Sequence, residues 1–376
     1  MASVSKTDFN SETPHVYKLA LALALAYLLT IIYASLQPFR GWRFPSEDLY
    51  GFLTAAWPRY ITLDDVVGNV IAYLPLGFML ALGLRQFFGP VMPVILGALL
   101  AAAVSIGMES MQLFLPARIP SNVDVLANGT GGLIGALAAP LFSPSQIIGA
   151  RLIAWRERQF RPGALPETGV LIAALWVITQ LDPLTQIFGT GNLRATFDLP
   201  VYFFHTPGKL LSAEAAVVFF NLLGLGLMLS ALLRHNARRG IIIGAFLIAA
   251  MALKMLITAT LAYPRGAFAW MTPGVMLGLS MGVMALLVGA LSFGYRIRLW
   301  LALGCIVCAL AAINLAPDNP YFNMPPRLAG GRVSHLLSFS AVLRALSELW
   351  PLLALTYLVT LIRDAGNRRR SADGVA

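Results

Sequence analysis

The stretch that decides the fold is DDVVGNVIAYLPLGFMLALGL, residues 64–84, followed by SIGMESMQLFLPARIPSNVDVLANGTGGLIG, residues 105–135. Both consist of apolar helices that carry their polar residues at one end. A helix of about 20 apolar residues crosses about 30 Å of hydrocarbon. Because successive membrane helices run in opposite directions, the polar ends of these helices are expected to meet at one face of a membrane.

The composition is that of a membrane protein. The chain has 376 residues, of which 58% are hydrophobic and 12% are charged, whereas about 25% of the residues in a soluble domain are charged. The net charge of +10 does not indicate nucleic-acid binding, because the arginines lie in short loops between apolar runs. Cys305 and Cys308 lie in one apolar run without further ligands, so we expect neither a metal site nor a cofactor.

We predict an all-α, polytopic membrane helix bundle with about ten transmembrane helices, arranged as degenerate four-helix repeats (4+4+2). The first apolar run is longer than the hydrophobic region of an ordinary signal peptide, so we interpret it as a retained span. The predicted spans are, in chain order, 16–36, 66–84, 92–114, 125–142, 168–187, 213–233, 240–262, 271–291, 299–315 and 340–362.

Internal similarity supports this division. Gly77-Phe-Met-Leu followed by Arg85 recurs as Gly226-Leu-Met-Leu followed by Arg234, in the same register. The alternative is a chance likeness among leucine-rich helices. The predicted segments are a disordered tail at 1–15, a four-helix unit at 16–145, a cytoplasmic Arg-rich loop at 146–165, a degenerate second four-helix unit at 166–292, a helix pair at 297–363 and a basic tail at 364–376.

Lysine and arginine residues indicate the orientation of the chain. Cytoplasmic loops of membrane proteins carry an excess of these residues. The loop at 146–165 and the tail at 364–376 contain most of this excess if both termini are cytoplasmic. This orientation places the polar residues of the opening stretch on the outer side of the membrane.

Three pairs of polar residues then lie at the same outer level: Asp65 and Asn69, Glu109 and Gln112, and Asp124 and Asn128. A spacing of three or four positions puts the two members of each pair on one helix face. Glu109 would lie about one turn inside the membrane, where an ionisable group is costly unless it is paired or faces a polar cavity. Arg118 is the natural partner of Glu109 or Asp124, since arginine binds a carboxylate through two parallel hydrogen bonds. We predict one pocket built from Asp65, Asn69, Glu109, Gln112, Arg118, Asp124 and Asn128.

The joint pattern resembles that of the VanZ-like family of bacterial membrane proteins over about residues 15–142. The motifs that carry the resemblance are Asp65-x3-Asn69, Tyr73-x-Pro75-x-Gly77, Glu109-x2-Gln112, Arg118, Asp124-x3-Asn128 and Gly131-x3-Gly135. The resemblance implies a multi-pass plasma-membrane protein of the cell envelope, and the family takes its name from a member linked to teicoplanin resistance. The second unit lacks the Glu/Gln and Asp/Asn pairs, so we expect it to serve as a scaffold.

Recognition without turnover is the leading hypothesis for function. The ligand would be an envelope lipid, a polymer precursor or a glycopeptide-like molecule at the outer leaflet. The expected partners are membrane lipids, including a lipid-linked envelope precursor, and not nucleic acid. The predicted ligand-binding residues are Asp65, Asn69, Gln112 and Asn128.

Two alternatives remain. One is a membrane-embedded hydrolase or transferase that acts on a lipid-linked envelope substrate. In that case Glu109 and Asp124 would supply acid and base, and Arg118 would hold a phosphate or carboxylate. The other is a purely structural network of ion pairs and amides that joins three helices at their outer ends.

Overall fold

The computed structural model describes residues 6–36, 41–45, 48–58, 61, 63–116, 118–182, 185–197, 206–261, 267–268, 270–315 and 334–373. Within these ranges the chain is helical and contains no β-strand. The helices are α1 (Lys6–Leu36), α2 (Gly51–Thr54), α3 (Leu63–Leu84), α4 (Met92–Gln112), α5 (Asn122–Ala138), a 3-10 turn (Ala139–Phe142), α6 (Ile147–Gln159), α7 (Ala164–Thr179), α8 (Arg194–Phe197), α9 (Pro207–Leu232), α10 (Arg239–Leu261), α11 (Pro273–Ser292), α12 (Tyr295–Leu315) and α13 (Ser334–Asp373).

Ten apolar helical segments follow one another in the described part of the chain. Eight are long and apolar enough to cross a membrane, and two shorter ones span Val16–Ile32 and Ala164–Thr179. Their order matches that of the ten predicted spans. The prediction of an all-α polytopic membrane protein is therefore confirmed.

Three predicted boundaries need correction. The first helix begins at Lys6, so residues 6–15 are helical where the composition predicted disorder; extending an existing helix requires no new nucleation. The segment 146–165, predicted as a loop, contains α6. Helix α7 ends at Thr179, several residues before the predicted limit of 187. The sequence has Pro183 shortly after this end, and proline disfavours helical backbone in the residue before it.

The chain divides into two compact units. The first unit contains residues 1–155 and 334–342, and the second contains residues 156–333 and 343–376. The division falls within the predicted Arg-rich segment between the two repeats. Each unit is described separately below.

In the first unit, α3 and α5 pack backbone against backbone. A Cβ atom added to Gly77, Gly131 or Gly135 would overlap main-chain atoms of the facing helix. Small residues allow this close approach, which is typical of packing between membrane helices. The expectation that the glycine face of α5 lies against a neighbouring helix is confirmed. Helices α4 and α1 complete the bundle around this pair.

In the second unit, α9 is the central helix. Helices α11 and α12 pack along it, and α7 and α10 make lighter contacts with it. A Cβ atom at Gly278 would overlap the backbone of α9 at Ala215, so α9 and α11 form a close pair like that of α3 and α5. This correspondence supports the predicted repeat, although α10 lies less closely against its neighbours than α4 does.

Candidate functional site

The predicted polar residues meet at one end of the first unit. Because α3, α4 and α5 alternate in direction, the start of α3, the end of α4 and the start of α5 lie side by side. Two hydrogen bonds join these ends. The Asn69 side-chain amide donates to the Asp124 carboxylate at 3.0 Å, and the backbone amide of Ser121 donates to the Glu109 carboxylate at 2.9 Å.

Glu109 is more enclosed than Asp124, the other carboxylate of this group whose side chain the structure describes. Its side chain is 4% exposed, and it faces the first turn of α5, where backbone amide groups have no partner within the helix. The positive end of the α5 dipole favours a carboxylate there. Ser121 caps the same helix by accepting a 3.4 Å hydrogen bond from the backbone amide of Asp124.

Arg118 lies in the loop between α4 and α5 and is buried. Burial lowers the pKa of its guanidinium, and the Glu109 carboxylate opposes that change. Arginine nevertheless stays protonated in proteins, so the loop places a positive charge close to the buried carboxylate. A guanidinium and a carboxylate at the start of a helix together provide both donors and acceptors for a polar headgroup.

The buried Tyr73 hydroxyl is within reach of the Ser105 side chain. Other buried polar atoms in this end of the unit lack a hydrogen-bond partner among the described residues, and they include Ser110 Oγ, Gln112 Oε1 and Asn128 Oδ1. The amide nitrogens of the last two are bonded: Gln112 donates to the Ser35 carbonyl at 3.3 Å, and Asn128 donates to the Ser105 hydroxyl at 2.9 Å. The charge of Glu109 also acts on the Tyr73 hydroxyl. We refer to Tyr73, Glu109, Gln112, Arg118 and Asn128 together with Asn69 and Asp124 as the polar cap.

The position of one predicted side chain, that of Asp65, is not described. Asp65 belongs to α3, but its side chain lies outside the described part of the structure. Asn69, Asp124 and the other predicted residues are brought to the same end of the unit. Whether they form an open pocket stays a prediction.

The predicted pocket did not include Tyr73, and it also left out several polar residues that surround the polar cap. Ser105 precedes Glu109 by four positions, so helical spacing alone places both on one face of α4. Ser121 and Asp124 form an S-x-x-D pattern, which is a signature of a helix start. The Asn122 side chain donates to the Ala55 carbonyl at 2.7 Å, and no local pattern in the sequence indicates this contact.

A cavity of about 460 Å³ lies elsewhere, in the second unit. Its lining is apolar and comes from α9, α11 and α12. The lining residues are Leu223, Leu227, Met284, Ala285, Val288, Gly289, Phe293 and Leu301. None of them belongs to the predicted site, so we refer to this cavity as the apolar groove and treat it separately.

The corresponding end of the second unit has different chemistry. Lys254 is fully buried and donates to the backbone carbonyls of Asp182 and Thr185, the latter at 2.8 Å. Glu214 accepts a 2.6 Å hydrogen bond from the Thr272 hydroxyl. These bonds hold elements of the second unit together, and the scaffold role of this unit stays a prediction.

Among the residues that the structure describes, no three His, Cys, Asp or Glu side chains lie close enough to hold a metal ion.

Comparison with known proteins gives one match. The model of the VanZ/LLP1 family matches residues 5–143. No curated protein and no solved structure matches the chain. The matched segment includes α1 and α3 to α5 and every residue of the polar cap.

Proposed function

We propose that this chain, which is VanZ-like over residues 5–143, is a bacterial plasma-membrane protein whose polar cap recognises a ligand of the cell envelope. The ligand classes that fit are an envelope lipid, a polymer precursor and a glycopeptide-like molecule. Each combines hydroxyl or amide groups with an anionic or extended polar part. The protein is multi-pass, and the described part of the chain contains eight helices that are long and apolar enough to span a membrane.

The orientation follows from the basic segments. In the first unit α5 runs from the polar cap towards α6, whose last turn contains Arg156 and Arg158. A basic segment at this end favours a cytoplasmic position for it and an outer position for the polar cap. Both termini are then cytoplasmic, and the headgroup of a lipid in the outer leaflet lies at the level of Glu109.

The observation that carries the proposal is the set of unpartnered atoms beside Glu109. Buried polar groups in proteins nearly always have a hydrogen-bond partner, and an unsatisfied one costs about 1–3 kcal/mol. Gln112 Oε1 and Asn128 Oδ1 are unpartnered among the described residues. A ligand rich in hydroxyl and amide groups would supply the missing partners.

Charge gives the polar cap a preference among ligands. Arg118 can bind a phosphate or carboxylate through two parallel hydrogen bonds. Glu109 can accept from a hydroxyl or an amine. We assign anion recognition to Arg118 and orientation of the polar headgroup to Glu109 and Gln112.

A thermal-shift experiment tests binding. Full-length protein in nanodiscs of neutral lipid is mixed with an undecaprenyl-linked precursor, an anionic wall polymer or teicoplanin, and the change in Tm is measured. We expect one of these probes to stabilise the wild type and to have no effect on Glu109→Gln. The matched control is Glu167→Gln, which removes an exposed carboxylate that pairs with Arg156 at 2.8 Å. No shift with any probe, or equal shifts in all proteins, would contradict recognition at the polar cap.

A second function has a specific observation in its favour. Glu109, near the end of α4, is buried, whereas Asp124, in the first turn of α5, is only half-buried. Two carboxylates in different environments suit the roles of acid and base in a hydrolase or transferase. This alternative predicts that the wild type consumes a lipid-linked substrate that Glu109→Gln binds and leaves intact.

A further inference from the structure

Three arginines converge at the other end of the second unit, where α9 ends and α10 and α12 begin. Arg298 lies in the first turn of α12 and is 2% exposed. Its guanidinium donates to the Ser230 carbonyl and hydroxyl, each at 2.9 Å. Its Nε atom is buried and has no hydrogen-bond partner among the described residues.

The charged side chains next to Arg298 are positive as well. The positive charges of Arg239 and Arg161 both act on Arg298. Arg161 lies over the Tyr295 ring, 4.1 Å from its centre, and donates to the Leu233 carbonyl. The Nε atom of Arg239 is also buried and unpartnered among the residues that the structure describes. We call Arg161, Arg239 and Arg298 the arginine group.

Asp364 is a carboxylate whose charge acts close to the arginine group, but it does not neutralise the three arginines. The charge of Asp364 acts on Tyr295, but Asp364 pairs with Arg368 of the same helix at 2.8 Å. The first turns of α10 and α12 add partial positive charge at the same place. Like charges that are held together in a partly buried position repel one another, and a bound anion would reduce this repulsion.

The positive-inside rule, which explains arginines in cytoplasmic loops, does not explain why Arg298 is buried. An arginine that only marks a cytoplasmic loop extends its guanidinium into water, as long side chains at membrane surfaces do. Arg238 and Arg296 are exposed in this way. Arg298 instead points into the bundle and contacts α9, so the chain uses it for a specific contact.

We propose that the arginine group binds a phosphate group. Guanidinium groups bind phosphate through pairs of parallel hydrogen bonds, and the unpartnered Nε atoms of Arg298 and Arg239 are available as donors. This proposal is independent of the proposed function. It gives the second unit a ligand-binding role in addition to that of a scaffold.

The phosphate could belong to a phospholipid headgroup or to a free anion. The apolar groove favours the lipid, because Leu301 lines the groove one helical turn beyond Arg298 on α12. Phe293, which precedes that helix, lines it as well. A groove of this composition suits an acyl chain.

Thermal unfolding of the full-length protein in nanodiscs tests the proposal. The nanodiscs contain phosphatidylcholine alone, phosphatidylcholine with increasing phosphatidylglycerol, or phosphatidylcholine with added inorganic phosphate. The variants form two matched pairs with equal changes in charge, Arg239→Gln with Arg238→Gln and Arg298→Gln with Arg296→Gln. Arg298→Lys is included in case the loss of a buried charge prevents folding.

We expect phosphatidylglycerol to raise the Tm of the wild type, Arg238→Gln and Arg296→Gln. Arg239→Gln and Arg298→Gln should bind it roughly tenfold more weakly, the loss expected from one charge-assisted hydrogen bond. A shift with inorganic phosphate alone would assign the site to a free anion, and a shift only with phosphatidylglycerol would assign it to a lipid headgroup. Equal shifts within each pair, or no shift of the wild type with either probe, would overturn the proposal.

Discussion

The Glu109 carboxylate, near the end of α4, accepts a 2.9 Å hydrogen bond from the backbone amide of Ser121, the residue that caps α5. This bond joins two membrane helices through an acidic side chain that is almost fully buried. It fixes the position of the carboxylate relative to Arg118 in the intervening loop. This bond explains how a short loop can hold the Glu109 carboxyl group and the Arg118 guanidinium close together at one face of the membrane.

Substitution of Glu109 should separate its structural role from its binding role. In Glu109→Gln the side-chain oxygen can still accept from Ser121, so the fold should persist with a modest loss of stability. Glu109→Ala removes the acceptor, so the backbone amide of Ser121 loses its partner and the protein should lose more stability than with Glu109→Gln, since an unsatisfied buried polar group costs about 1–3 kcal/mol. Thermal unfolding in nanodiscs measures both. Equal destabilisation by the two variants would argue against the hydrogen bond as the structural link.

The glycine contacts of the first unit give a prediction about stability. Gly131→Ala should destabilise the protein because the new Cβ would overlap the backbone of α3 at Val70. Gly107→Ala on α4 is the matched control, since its Cβ would meet no atom within 4 Å. It should stabilise α4 slightly, as alanine favours helix by about 1 kcal/mol over glycine. If Gly131→Ala and Gly107→Ala changed the Tm in the same direction and by the same amount, this result would contradict the close packing of α3 and α5.

Sequence reasoning found the helices and the polar end of the first unit because both depend on local patterns. Hydropathy and helical spacing are sufficient to place Asn69, Glu109 and Asp124 at one level. Such patterns do not reveal a bond to a backbone carbonyl far away in the chain, which is why the partner of Asn122 was missed. They also assigned Arg298 to a loop outside the predicted span 299–315, whereas α12 begins at Tyr295 and buries this arginine.

Lys254 offers a test of the second unit. Its amine is fully buried and bonded to two backbone carbonyls after α7. Lys254→Met should destabilise the protein by about 3–5 kcal/mol, because the carbonyls lose their donor and the buried Asp182 carboxylate loses the positive charge that acts on it. Lys209→Met, at an exposed position of α9, should change stability by less than about 0.5 kcal/mol. Similar unfolding temperatures for these variants would refute the structural role of Lys254.

The orientation of the chain can be measured with single cysteines. The variants Ile119→Cys and Ala164→Cys are made in a background with serine at 305 and 308. Both positions are exposed. In intact cells an impermeant thiol reagent should label Ile119→Cys, and Ala164→Cys should react only after the membrane is opened. The reverse pattern would place the polar cap in the cytoplasm and remove the basis for an envelope ligand.

The most direct measurement of the central claim is the identity of the lipids that co-purify with the protein. Wild type, Glu109→Gln and the control Glu167→Gln are extracted in native-lipid nanodiscs, and bound lipids are identified by mass spectrometry before and after incubation. We predict a specific envelope lipid with the wild type and the control that is lost in Glu109→Gln, with no product formed. Consumption of that lipid by the wild type and its retention by Glu109→Gln would assign turnover to the site instead. Identical bulk lipid in all three proteins would contradict recognition and leave the polar cap as a structural network.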